Sequence, residues 1–129
     1  MDTPIALLDR FLLALCVWRE ARGETLLGKR LVAQVIVNRS RDRRWPNTIE
    51  GVILQPWQFS SFNKNDPNAV LFPAHTDTSW PDCVIAADDV MTGSPISPAN
   101  HYHVVGLDPA WRDASKVVAT EGHHVFYQL

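Results

Sequence analysis

The sequence predicts a single α+β domain over residues 1–129, mainly helical, with a small β element near the C-terminus. Three observations predict it. Ile5 to Ala21 is apolar at almost every position, Trp80-Pro81 opens another long stretch closed by Gly93, and Asn100–Val105 alternates as a strand, with the closing His124–Tyr127 a candidate second strand. With 46% hydrophobic residues and five tryptophans, a chain of this size buries a core without staples.

Each element has local signals. Thr3-Pro4 starts the first helix with a capping side chain followed by a proline, whose missing N–H is no loss at that position. A helix apolar on all sides belongs in the middle of its domain, and Gly23 is a natural stop. A second helix is predicted from Thr25 to about Ser40, with Leu27, Leu31, Val35 and Asn38 along one face and Arg30 and Val37 pointing elsewhere. Arg39 to Arg44 forms a charged connector that ends in the turn-like Trp45-Pro46-Asn47, and Thr48 caps a short helix reaching about Leu54. Turn formers crowd residues 55–80, including Asn63, Asn65, Asp66 and Pro67, so an irregular segment tied down by its aromatic residues is expected there. In the strand near residue 100, His101, His103 and Val105 fall on one side and Tyr102 and Val104 on the other; Asp108-Pro109 turns the chain after it.

Charge narrows the function. Residues 1–64 carry ten Lys and Arg against six Asp and Glu, while residues 65–129 carry two against eight. Nucleic-acid binding usually needs a basic excess or stripe, so Arg39, Arg41, Arg43 and Arg44 are better explained as a solvated basic loop. The longest apolar run, Phe11 to Trp18, is far short of a membrane span. Asp2 and Asp9 stand where a secretory signal has a positive start, so synthesis in the cytoplasm is expected. Cys16 and Cys83 have no paired-motif spacing and read as separate buried thiols, with a bridge between them as the alternative.

Glu20 is the unusual residue of the first helix. On a wheel it falls in line with Leu13, Cys16 and Val17, so the face leading to it is apolar. A carboxyl group placed there loses solvation when charged, its pKa rises, and it becomes suited to protonating a sugar leaving group. The alternative is an exposed glutamate paired with Arg19 or Arg22. Glu24 reads as an acidic residue at the start of the second helix. His101, His103, His123 and His124 raise the idea of zinc, yet His-x-His spacing is weakly specific and no HExxH-type helix accompanies it. Histidines hydrogen-bonding in a polar cleft, with neither metal nor cofactor, are the expectation. Cys16 lies inside an apolar helix, away from the helix N-terminus that would favour a thiolate nucleophile. Trp45, Trp57, Phe59, Tyr102 and Trp111 flank polar residues in a way that suits saccharide rings, although singly each reads as a core residue.

Together these segments resemble the SleB-type cell wall hydrolases, the family that includes the spore-cortex-lytic enzymes. Glu20-Ala21-Arg22-Gly23-Glu24 looks like its EARGE signature, followed by Val32–Arg39, an apolar helix ending in Asn-Arg. Trp45–Ile49, Gln58-Phe59-Ser60, Ala99–His103, Pro109-Ala110-Trp111 and Gly122–Tyr127 continue the series in order. His123 and Val125 stand where the family usually has Asn and Thr.

The resemblance implies a lysozyme-like domain that cleaves peptidoglycan between N-acetylmuramic acid and N-acetylglucosamine, with Glu20 catalytic. It turns Gln58, Ser60, Tyr102, His103, Trp111 and His124 into substrate-binding residues of the cleft. A monomeric phage endolysin, released to the wall without inserting stably in the membrane, is the implied setting. A single strongly argued carboxyl favours lytic transglycosylation, with anhydro-muramic acid ends, over a hydrolytic muramidase. A zinc amidase or peptidase using His101, His103 and His123 or His124, and a non-catalytic wall-binding module, are the rivals.

Overall fold

The computed structural model describes residues 4–129 except 57 and 64, and leaves the side chains of residues 4, 5 and 60 undescribed. The expected Thr3 cap and the Trp57 aromatic therefore lie outside the described residues. The helices are α1 (Pro4–Ala21), α2 (Leu26–Ser40), α3 (Ile49–Ile53) and α4 (Trp80–Thr92). Three strands follow: β1 (His101–Val104), β2 (Val117–Glu121) and β3 (His124–Tyr127). The expected α+β architecture is present, mainly helical, with its sheet at the C-terminal end.

The helix boundaries follow from side chains that satisfy backbone donors. Thr25 caps α2 by accepting from Gly28 N, and Thr48 caps α3 by accepting from Gly51 N. Asp66 does the same for a 3-10 turn at Pro67–Val70 by accepting from Asn68 N.

The core is the C-terminal half of α1, from Leu13 to Trp18, packed against Val32–Val37, Ile53, Cys83, Ala87, Val90 and Phe126. Truncating a side chain as enclosed as Leu13 leaves a cavity and typically costs about 2–5 kcal/mol. Cys16 and Cys83 are both buried and free.

Two expectations for the helices need correction. The N-terminal half of α1 is peripheral, exposing Leu7, Leu8 and Phe11, and the helix's share of the core begins at Leu13. In α2, Leu27 is exposed and Val37 is buried, the reverse of the one-faced assignment. Nearly the whole of α2 is enclosed, so no single stripe describes it. Even its polar groups are used: Gln34 bonds Asn38 and accepts from Ile96 N, while Asn38 Nδ2 donates to Ser97 O and Ala99 O. These bonds hold the segment that leads into β1.

The sheet is antiparallel in the order β1-β3-β2. The pairs Tyr102–Phe126 and Val104–His124 put those side chains on the face toward α1, while His101, His103, Val125 and Tyr127 take the other face. The sides expected for His101, His103, Tyr102 and Val104 are those observed. β2 was not anticipated. Its register slips between Val117 and Ala119, and most of it is exposed, so its alternation is broken. A two-residue turn, Gly122-His123, joins β2 to β3, with Gly122 at φ +56.

Candidate active site

Glu20, on the last turn of α1, looks into a cleft of about 330 Å³ lined also by Arg39, Gln58, Phe59, Tyr102, His103, Val104, Leu107 and His124. Its approach face is as apolar as the wheel requires, since Leu13, Cys16 and Val17 are fully enclosed. Burial pushes the Glu20 carboxyl above the usual carboxylate range. A long hydrogen bond from Tyr102 Oη to Oε1, at 3.3 Å, opposes that shift, and the charge of Asp66 adds to it.

Neither arginine beside Glu20 neutralises it. Arg19 is buried and gives its donors to the carbonyls of Ser61, Ala69 and Leu71, with Phe62 and Phe72 against its guanidinium. Arg22 lies over the Trp18 ring. Arg19 thereby ties the 61–71 segment to the end of α1 with one buried cation.

Arg39 contradicts the basic-loop assignment. It is buried, donates to Asn100 O at 2.7 Å and to Gln58 Oε1 at 3.1 Å, and lies against Trp45 and Phe59. Arg44 pairs with Asp42 and also donates to Leu129 O. Arg39 thus joins α2, the 55–60 loop and β1 at the floor of the cleft. It, Val104 and Leu107 were not among the predicted site residues, although the Asn38-Arg39 ending of the apolar helix marked the first; Phe59 is where the aromatic pattern suggested.

Of the predicted substrate-binding residues, the fold gathers Gln58, Tyr102 and His124 around Glu20; His103 borders the same cleft, but its ring turns to the other face of the sheet and meets Tyr127. The Ser60 side chain is outside the described set. Trp111 lies on the other face of the sheet, packed against His101, His103 and Tyr127, and does not line the Glu20 cleft.

The histidines have separate surroundings. His103 Nδ1 is 2.8 Å from Val104 O, and its Nε2 is 2.6 Å from Tyr127 Oη. A carbonyl only accepts, so Nδ1 carries a proton and donates to Val104 O, while Nε2 faces the tyrosine hydroxyl. His101 sits between Trp45 and Trp111, its pKa lowered to about 4 by burial and then by Arg39 and Arg44. Among the described residues, no three His, Cys, Asp or Glu side chains converge as a metal site.

Glu24 differs from its expected helix-start role. It precedes the Thr25 cap, and its side chain is only 6% exposed. Oε1 accepts from His123 N at 2.7 Å, and Oε2 meets His123 Nδ1 at 2.8 Å. Burial alone would raise its pKa, but these bonds and the nearby imidazoles hold it below the usual range. Thr25 Oγ1 also donates to Glu121 Oε1 at 2.8 Å. The turn after α1 and the β2–β3 turn are thereby clasped together.

A helical core that delivers one desolvated carboxyl to a cleft walled by a small antiparallel sheet is the arrangement of a lysozyme-like domain. The chain belongs to the cell wall hydrolase family, whose model it matches over residues 23–127. That match begins just after Glu20, so the case for Glu20 rests on its geometry. The chain is also similar to the catalytic domain of the germination-specific lytic transglycosylase SleB from Bacillus anthracis. The TM-score is 0.74 at 27% identity, covering 98% of this chain and 96% of that one. Against the catalytic domain of Bacillus cereus SleB the TM-score is 0.75 at 29% identity, covering 92% and 88%. A spore cortex-lytic enzyme of Bacillus cereus is 46% identical over 53 residues, which are 41% of this chain and 20% of that enzyme. The Bacillus subtilis enzyme is 44% identical over 53 residues, 17% of its length. The aligned stretch is thus about a fifth of these relatives or less.

Proposed function

We propose that this domain cleaves the glycan strand of peptidoglycan between N-acetylmuramic acid and N-acetylglucosamine as a lytic transglycosylase. The observation that carries the proposal is that Glu20 is the one carboxyl group lining the cleft among the described residues. Burial raises its pKa above the ordinary carboxylate value, which favours the protonated form a general acid needs. Glu20 gives its proton to the glycosidic oxygen as the bond to the muramic acid C1 breaks. The carboxylate so formed takes the proton of the same sugar's C6 hydroxyl while that oxygen bonds to C1. The nucleophile is tethered to the reacting sugar, so its effective concentration is high and no second carboxylate has to activate water. Family membership and the similarity to SleB catalytic domains support this chemistry.

A hydrolytic muramidase is the second reading, and Asp66 favours it: its charge reaches Glu20 from the cap of the turn at Pro67–Val70. Mass spectrometry of the soluble fragments from purified peptidoglycan separates the two. Anhydro-muramic acid ends, lighter by one water, support transglycosylation; exclusively reducible muramic acid ends support hydrolysis with Asp66 as second carboxylate. For the setting we propose a phage endolysin acting as a monomer after release. Lysis from within a host only when a membrane-permeabilising partner is co-expressed tests it.

A further inference from the structure

His124 stands between the cleft and a second buried carboxylate. Its ring lines the cleft with Glu20 and meets the Tyr102 ring edge-on, with centroids 5.1 Å apart. Its Nδ1 lies 3.2 Å from Glu24 Oε1, and Glu24 does not line the cleft. His124 is only 3% exposed, and Nδ1 is sealed from solvent without a well-aligned hydrogen bond, with this carboxylate oxygen beside it. Glu24 cannot swing away easily, because His123 holds both of its oxygens. Gly122 leaves no room on the other side, since a Cβ there would fall 2.9 Å from Oε1.

An ionised carboxylate only accepts, so beside a neutral imidazole it favours the proton on the nearer nitrogen and leaves the farther one with its lone pair. We propose that Glu24 is a positioning residue that holds His124 in the Nδ1–H tautomer, leaving Nε2 to accept a hydrogen bond from a hydroxyl of the sugar in the Glu20 cleft. The sugar contact rests on the function proposed above; the tautomer does not.

The charged and titratable groups around His124 among the described residues are Glu24 and His123 at the clasp, Tyr102 and His103 on β1, Glu121 opposite on β2, and Glu20 and Arg39 in the cleft. Burial lowers the pKa of His124 more than Glu24 raises it, so the ring is neutral at physiological pH and has one proton to place. Such backing of a histidine by a carboxylate is known to fix ring orientation and tautomer at metal sites, and the same electrostatics apply to a hydrogen-bonding ring.

Nitrogen-15 NMR of the imidazole rings in the full chain reads the tautomer without reference to activity. The expected wild-type result at about pH 7.5 is His124 protonated at Nδ1. In Glu24→Gln, whose amide can donate as well as accept, the Nε2–H form gains population and glycan turnover falls roughly 10- to 100-fold, the cost typical of losing such a partner. His123→Ala loosens the clasp but leaves Glu24 Oε1 beside Nδ1, so the His124 tautomer stays as in the wild type. An Nε2–H ring in the wild type overturns the proposal even if Glu24→Gln fails to fold. So does a folded Glu24→Gln protein with an unchanged tautomer, or a tautomer shift of equal size in His123→Ala. A wild-type chain with the Nδ1–H ring that cleaves no glycan overturns the proposed function and the sugar contact, and leaves the positioning role of Glu24 supported.

Discussion

The hydroxyl of Tyr102 donates to Glu20 Oε1 across 3.3 Å, joining the first strand to the end of the first helix at the centre of the cleft. This bond favours the ionised form of a carboxyl group that burial drives the other way. A general acid works while protonated, so activity falls as pH rises through the Glu20 pKa. Tyr102→Phe removes a contribution that lowers that pKa, and the alkaline limb of kcat/KM is expected to move to higher pH. A pH–rate series on soluble glycan fragments checks this; a limb that stays put or moves to lower pH contradicts it.

The same burial has a consequence for stability. Glu20 has a folded-state pKa above its unfolded value, so the stability linked to its proton is present below the ordinary carboxylate pKa and lost as pH rises through the raised one. Glu20→Gln cannot ionise and escapes that loss. Thermal melts from about pH 4 to about pH 8 are expected to show the variant gaining on the wild type with rising pH. A gap that is constant, or that shrinks with pH, would mean Glu20 is better solvated than its surroundings indicate.

Gly122 faces two demands. Its φ of +56 is left-handed, and an added Cβ would sit 2.9 Å from Glu24 Oε1. Gly122→Ala is therefore expected to destabilise the fold by about 1–3 kcal/mol in urea titrations, by combining backbone strain with displacement of the clasp. A change within about 0.5 kcal/mol, the range of ordinary surface substitutions, would show the clasp to be dispensable.

Most of the helical framework was legible in the chain because its signals are local. Thr25 and Thr48 cap where side-chain chemistry predicts, and Gly93 follows α4. Glu20 was legible for a related reason: Leu13, Cys16 and Val17 lie on its own helix, so periodicity alone describes the face it ends. What escaped depends on distant partners. Arg39 reads as part of a charged connector until Asn100 and Gln58 come to meet it. Glu24 reads as a helix-start acid because His123, which uses both of its oxygens, comes 99 residues later. Trp111 carries the same aromatic signal as Tyr102, and only its packing on His101, His103 and Tyr127 puts it on the opposite face of the sheet. β2 is short, bulged and largely exposed, so it lacks the alternation that identifies a strand.

The histidine-rich C-terminal region makes metal dependence worth testing directly. Both nitrogens of His103 have protein partners, and His123 is bonded to Glu24. Exhaustive chelation is expected to leave most wall-lytic activity intact, with no stoichiometric zinc in the purified protein. Loss on chelation that zinc restores would revive the amidase or peptidase reading through His101, His103 and His123 or His124.

The central claim is that the transferable proton of Glu20 drives the reaction, and the most direct measurement is wall lysis by Glu20→Gln at matched concentration of folded protein. Gln keeps the shape of the side chain and removes the proton. Activity on purified peptidoglycan is expected to fall by at least about a thousandfold, within the range general acid catalysis contributes, while the far-ultraviolet circular dichroism stays that of the wild type. A folded variant that keeps more than about a tenth of the wild-type rate contradicts the account, because no general acid of this kind is that dispensable.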